Sequence, residues 1–224
     1  KWKCKQALVD RVVEGIILKD DCVPDQSFFP FCQELLEYYR DDERIMMITG
    51  DNFQFGKKRT EYSYYFSRYF HIWGWATWRR AWRYYDRDMK IWPEIQRGNW
   101  LFDILKDKKV VKYWENIFNE TYHGRINTWD YQWIFSGWIQ NGLSIIPNNN
   151  LIMNIGFDDR GTHTKGDSRF SKMVIQEVSF PIVHPPFIIR DDFSDTQTEK
   201  ILFSQSKSFL DYIKFYYKLL YSLK

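Results

Sequence analysis

Lys19-Asp20-Asp21 follows directly on the apolar run Gly15-Ile16-Ile17-Leu18, with Cys22-Val23-Pro24 next. Short apolar runs are how buried parallel strands read, and open α/β sheets collect ligands at the carboxyl ends of such strands. A carboxylate there can hold a hard divalent cation against a phosphate. Alternation along an extended chain puts Lys19 and Asp21 on one side and Asp20 on the other. The plain alternative is an acid that caps the next helix or solvates a loop.

Indoles supply the other chemistry. Trp73 and Trp75 flank Gly74, whose missing side chain permits a tight backbone approach. Flat apolar rings with a polar handle make platforms for sugars, so Trp73, Gly74 and Trp75 read as walls of a sugar site, with core packing as the alternative. Trp78 and Trp82 recur at helical spacing and read as core. Asp130 follows Thr128-Trp129, and a carboxylate in a helix's first turn is favoured by the dipole. It reads as a candidate base or as part of a cap begun by Thr128. His71, His123 and His184 have no evident partner, and neither a Cys/His pair, a Ser/His/Asp order nor a Gly-rich phosphate loop is present.

The elements that must position these groups follow from periodicity. Residues 15–19 and 45–49 read as strands, 62–69 as an aromatic strand, and 143–146 and 151–155 as two short ones. Ser27 predicts an N-cap for a helix to Arg40 that buries Phe28, Phe31, Cys32, Leu35, Leu36 and Tyr39. Thr77 predicts a cap for a helix to Tyr85, with further helices near 98–106 and 109–120. Thr128 predicts the start of a helix carrying Trp129, Trp133, Ile134 and Trp138, stopped by Asn141-Gly142. Residues 156–167 read as a loop containing His163, and the chain from Asp191 as a polar tail leading to an aromatic, lysine-studded helix over 207–223. Strands interleaved with helices predict a three-layer α/β/α fold.

The bulk properties exclude several classes. The chain's 224 residues suit one domain with a sizeable core. A net charge of +3 is too small to argue for nucleic acid, and Arg79-Arg80 with neighbouring aromatics form only one small cluster of the kind that binds it. Aromatics make up 20% of residues, enough to fill a core and still line a platform. Cys4, Cys22 and Cys32 give neither an even disulfide framework nor metal-type spacing, which suggests a reducing, cytoplasmic setting. No run approaches the roughly 20 apolar residues of a membrane span. The terminal helix reads as packed on the domain, the alternative being peripheral contact at the inner membrane face.

Five blocks occur in order: Asp20-Asp21-Cys22-Val23-Pro24-Asp25; the helix with Phe28-Phe29 and Cys32; Ile48-Thr49-Gly50-Asp51-Asn52; Trp73-Gly74-Trp75-Ala76-Thr77-Trp78-Arg79-Arg80-Ala81-Trp82; and Thr128-Trp129-Asp130-Tyr131-Gln132-Trp133. Over about residues 15–190 this order resembles nucleotide-sugar-dependent glycosyltransferases of the GT-A fold. It looks most like a bacterial family related to glycosyltransferase family 2, some of whose members are labelled hemolysin-like. It is also similar to the N-acetylglucosaminyltransferases that start complex N-glycans.

The resemblance implies a GT-A-like mixed sheet over residues 1–190, with 191–224 as tail and helix. It implies a metal-dependent, inverting transfer of a sugar from a nucleoside-diphosphate donor to a glycan or other hydroxyl acceptor, as in cell-surface polysaccharide assembly. Asp21 would hold Mn²⁺ or Mg²⁺ on the diphosphate, Asp20 would support it or touch the ribose, and His163 would reach the metal or diphosphate. Asp130 would be the general base, with Trp73, Gly74, Trp75 and Trp129 shaping the acceptor site. The alternative is a non-catalytic remnant that binds carbohydrate or protein. Lys19 stands where the family usually has an acid. Only 18 residues precede it, fewer than the about 30 of a βαβ unit, so an N-terminally truncated nucleotide-binding half is expected.

Overall fold

The computed structural model describes residues 11–157, 170 and 173–203. His163 and the expected helix over 207–223 lie outside the described residues. A five-stranded sheet runs in the order β1-β5-β3-β6-β4, formed by β1 (Glu14–Leu18), β3 (Ile45–Thr49), β4 (Tyr64–Ser67), β5 (Gly74–Trp78) and β6 (Leu143–Pro147). A separate pair joins β2 (Cys22–Pro24) to β7 (Ile152–Asn154).

The main sheet is mixed. β3 and β6 pair in parallel, whereas β5 lies antiparallel between β1 and β3, and β4 antiparallel to β6. Strands β1, β3 and β6 therefore end on one side of the sheet. The expectation for β1 needs correcting: it is an edge strand paired antiparallel with β5, and its residues are half-buried or exposed. An apolar run of five cannot by itself tell a central strand from an edge one.

Helix α1 (Phe28–Tyr38) covers one face. Its Phe28, Phe31, Cys32, Leu35 and Leu36 meet Ile45, Ile48, Ala76, Trp78 and Ile145 of the sheet. Ser27 stands at the helix start but makes no side-chain cap; its N–H and hydroxyl both donate to Asp25 Oδ1. The other face is covered by a helical layer: α2 (Arg79–Trp82), α3 (Trp92–Arg97), α4 (Trp100–Leu105), α5 (Lys108–Tyr122) and α6 (Asp130–Ile139). Trp75, Trp82, Trp92, Trp114, Trp133 and Trp138 fill the space between that layer and the sheet. Most of the unusual aromatic content is thus core, and the architecture is α/β with helices on both faces.

Two helix expectations change. Thr77 caps nothing; it lies inside β5, and its hydroxyl donates to the Met46 carbonyl at 2.8 Å. Pairing of β5 with strands on both sides overrides the local capping signal, and the helix begins only at Arg79. The polar stretch after Asp191 is also a helix, α7 (Asp192–Leu202), in which Ser194, Asp195, Thr198 and Glu199 are the buried residues. Its inward face is polar, so a search for apolar periodicity passes over it.

The small β2–β7 sheet is seated by two glycines. A Cβ on Gly50 would come within 2.6 Å of Ile152 Cγ1, and one on Gly74 within 2.5 Å of Ile152 Cδ1. Ile152 therefore packs directly onto the backbone at the end of β3 and the start of β5, which holds the turn between β1 and β2 in place.

Candidate functional site

The end of the sheet where β1, β3 and β6 finish carries the groups singled out by sequence. Lys19 still belongs to the β1 ladder, its N–H donating to the Trp73 carbonyl at 2.9 Å. Alternation then places its side chain with Ile17, which packs against the helical layer. Its ammonium lies 3.2 Å from Oδ2 of Asp21. Lys19 and Asp21 do share one side, with side chains 24% and 32% exposed, while Asp20 is exposed in the turn.

Asp21 is fixed from several directions. Its carbonyl accepts the Ile155 N–H at 2.9 Å, and its Oδ1 takes the Cys22 thiol at 3.5 Å. A Cβ on Gly156 would stand 2.9 Å from Asp21 Oδ2 and 3.0 Å from Asn154 Oδ1, so only a glycine lets the chain after β7 pass beside this carboxylate unstrained. Asn154 Oδ1 accepts the Gly156 N–H at 2.9 Å, and its Nδ2 is buried with no hydrogen-bond partner among the described residues. Burial, then the charges of Asp51 and Asp21, push the Cys22 thiol far above its usual range, so it is no nucleophile at neutral pH.

Asp51 is the group that sequence reasoning left without a role. It is fully buried, and its Oδ2 accepts the Trp73 N–H at 3.0 Å and the Thr49 hydroxyl at 3.3 Å. Its Oδ1 is buried and has no hydrogen-bond partner among the described residues. Burial raises its pKa to about 7, against the opposing pull of these hydrogen bonds and of Lys19. The only signal available beforehand was an acid just beyond an apolar strand, which does not distinguish buried from solvated.

Asp130 stands at the same end of the sheet. Helix α6 leads through Gln140–Gly142 into β6, and the Leu143 N–H bonds to the Arg44 carbonyl just before β3. A ten-residue helix spans about 15 Å, so its first residue lies toward the finishing end of β6 and β3. Trp129 confirms the placement by stacking on Trp75, which pairs with both Ile17 and Thr49. Asp130 and the turn that carries Lys19 therefore both lie toward the end of the sheet where β1 and β3 finish. Asp130 itself is buried, and the Thr128 hydroxyl donates to its Oδ1.

Trp73 and Trp75 are not brought together. Trp73 packs with Phe53 on the α1 side, while Trp75, 1% exposed, stacks among Trp82, Trp129 and Trp133 on the other. Gly74 is needed for its contact with Ile152. Trp129, half-buried, keeps part of its surface open. Arg80 donates to the carbonyls of Tyr39, Arg40 and Ile45 and lies 4.3 Å from the Trp78 ring centroid, so that basic-aromatic cluster fastens α2 to the sheet.

Among the described residues, which do not include His163, the acid expected to hold a divalent cation is already engaged. One oxygen of Asp21 faces an ammonium and the other a thiol, and among the described residues no group of three His, Cys, Asp or Glu side chains could hold a metal. Lysine cannot ligate a cation. Among the described residues no helix is long and apolar enough to cross a membrane. No protein-family model and no curated protein matches this chain.

Proposed function

We propose that this chain is a GT-A-like glycosyltransferase domain that moves a sugar from a nucleoside-diphosphate donor to a hydroxyl acceptor with inversion. The observation that supports the reading is that Lys19-Asp21, in the turn that ends β1, and Trp129-Asp130, stacked through Trp129 on Trp75, lie toward the same end of a mixed sheet. A cationic turn and a carboxylate beside a half-buried indole suit a donor phosphate and an acceptor sugar.

In this reading the diphosphate lies at the turn after β1, within reach of the Lys19 ammonium, and Trp129 supports the acceptor ring. The acceptor oxygen attacks the anomeric carbon as Asp130 takes its proton. The bond from that carbon to the phosphate oxygen breaks, and the nucleoside diphosphate leaves with the electron pair. Thr128 then has a positioning role, its hydroxyl orienting the Asp130 carboxylate. General bases of this kind contribute roughly 10²–10⁴-fold. Expulsion of the charged diphosphate is the step that a positive charge assists.

A second reading is favoured by the burial of Asp130 and Trp75: a carbohydrate-binding domain without transfer activity. A panel of sugar nucleotides, assayed for release of nucleoside diphosphate with and without glycan acceptors, separates the two. The transferase reading expects turnover with at least one donor, and Asp130→Asn should lower kcat by roughly 10²–10⁴-fold with donor affinity retained. Glycan binding without turnover of any donor would leave the binding domain.

A further inference from the structure

We infer that the Lys19 ammonium, oriented by Asp21, supplies the positive charge for the donor's diphosphate, so that a pyrophosphate-bearing nucleotide binds here without a divalent cation. The inference rests on the transferase reading and departs from the Mn²⁺ or Mg²⁺ that the family resemblance implies.

The geometry around Asp21 is the reason. A cation bound to Oδ2 would stand beside the Lys19 ammonium, which is 3.2 Å from that oxygen. Gly156 faces the same atom, and a Cβ there would stand 2.9 Å from it, so the chain passes close by with no side chain between. Such cations usually take one or two protein carboxylates and complete their shell with water and substrate phosphate, so the state of those carboxylates decides. Among the described residues Asp51 is fully buried against Trp73 and Thr49, and Asp21, the acid placed for the task, already faces an ammonium and a thiol.

That positive charge is well placed. The backbone of Lys19 is held by the β1–β5 ladder, and the ammonium retains two N–H groups beyond the one facing Asp21. Its side chain remains partly exposed at the end of the sheet where β1 finishes. Beside Gly156, the Asn154 amide has an Nδ2 donor that is buried and without a hydrogen-bond partner among the described residues. An ammonium and a spare amide near one glycine suit an anion with several oxygens. A lysine acts on phosphate as a point charge, the same electrostatic task that a cation performs.

The test uses the full chain and three probes, UDP, GDP and inorganic pyrophosphate, titrated calorimetrically in EDTA and again with Mn²⁺. The inference expects at least one probe to bind in EDTA with an affinity that Mn²⁺ changes by less than about threefold. Lys19→Met should weaken that binding roughly 10- to 100-fold, the loss of one charged hydrogen bond. Lys19→Asp should abolish binding in EDTA and restore it with Mn²⁺. A thermal melt of each variant checks that it folds. Wild-type binding that requires Mn²⁺, or EDTA binding that survives Lys19→Met, overturns the inference and leaves the transferase reading standing. Failure of every probe under both conditions overturns this inference, and only the donor screen described above then decides the transferase reading.

Discussion

The indole of Trp75 stacks on that of Trp129, with ring centroids 5.5 Å apart and planes 20° from parallel. This contact ties the first turn of α6, and with it Asp130, to the middle of the sheet. Removing Trp75 empties a fully enclosed site, for which losses of about 3–5 kcal/mol are typical. Trp75→Ala should therefore lower stability in a denaturant titration by that amount, while Trp75→Phe should cost less. If Trp75→Ala leaves the midpoint unchanged, the stack does not anchor α6.

Ile152 and Gly74 are coupled in the same region. A Cβ on Gly74 would sit 2.5 Å from Ile152 Cδ1 and 3.0 Å from Leu18. Gly74→Ala should destabilise by about 1–3 kcal/mol, as overpacking does. Combining it with Ile152→Val, which removes the clashing methyl, should recover part of the loss. A double-mutant cycle measures the coupling; strict additivity would show that Ile152 does not rest on this glycine.

Asp51 and His71 should impose opposite pH dependences. Burial raises Asp51 to about 7, so the folded chain binds a proton that the unfolded chain, with an ordinary carboxyl, releases near pH 4. Its contribution is present below pH 4 and is lost as pH rises toward 7. Asp51→Asn should therefore gain stability relative to wild type over that interval. His71 is buried beside Phe53 with its pKa lowered to about 3, so its neutral form is favoured. Its contribution is present above about 6.5 and is lost as pH falls toward 3. His71→Phe should flatten the acid side of the melting profile. Parallel profiles for wild type and either variant would remove that group as the cause.

Arg68 holds α7 to the sheet. Its guanidinium pairs with Glu199 at 2.9 Å and with Asp195 at 3.5 Å, all three being buried. Burial raises the pKa of Asp195 to about 6 and raises that of Glu199, even with the arginine present. Arg68→Leu strands Glu199 and leaves Asp195 with Arg190 alone, 3.6 Å away, and should cost about 3–5 kcal/mol at pH 8. The cost should shrink near pH 5, where the two acids can protonate. A cost independent of pH would point to lost packing rather than to stranded charge.

The sequence by itself determined the α/β class, the helix that begins at Phe28 and the sharing of one side by Lys19 and Asp21. The helix depends on local periodicity; that Lys19 and Asp21 form an ion pair follows from the turn after β1. It did not determine that β1 is an edge strand, that Thr77 lies within β5, or that α7 turns a polar face inward. Those outcomes depend on strand neighbours and buried charge partners far away in the chain. The same is true of the candidate site. Trp73 and Trp75 look like a pair from their spacing, yet the chain entering β5 sends them into separate layers. Asp51 looks like a loop acid, yet β5 closes over it and makes it a buried group that resists ionisation. Local patterning fixes which residues face the same way; only the packing of distant segments decides which of them are shut away from water, and that difference sets what their charges can do.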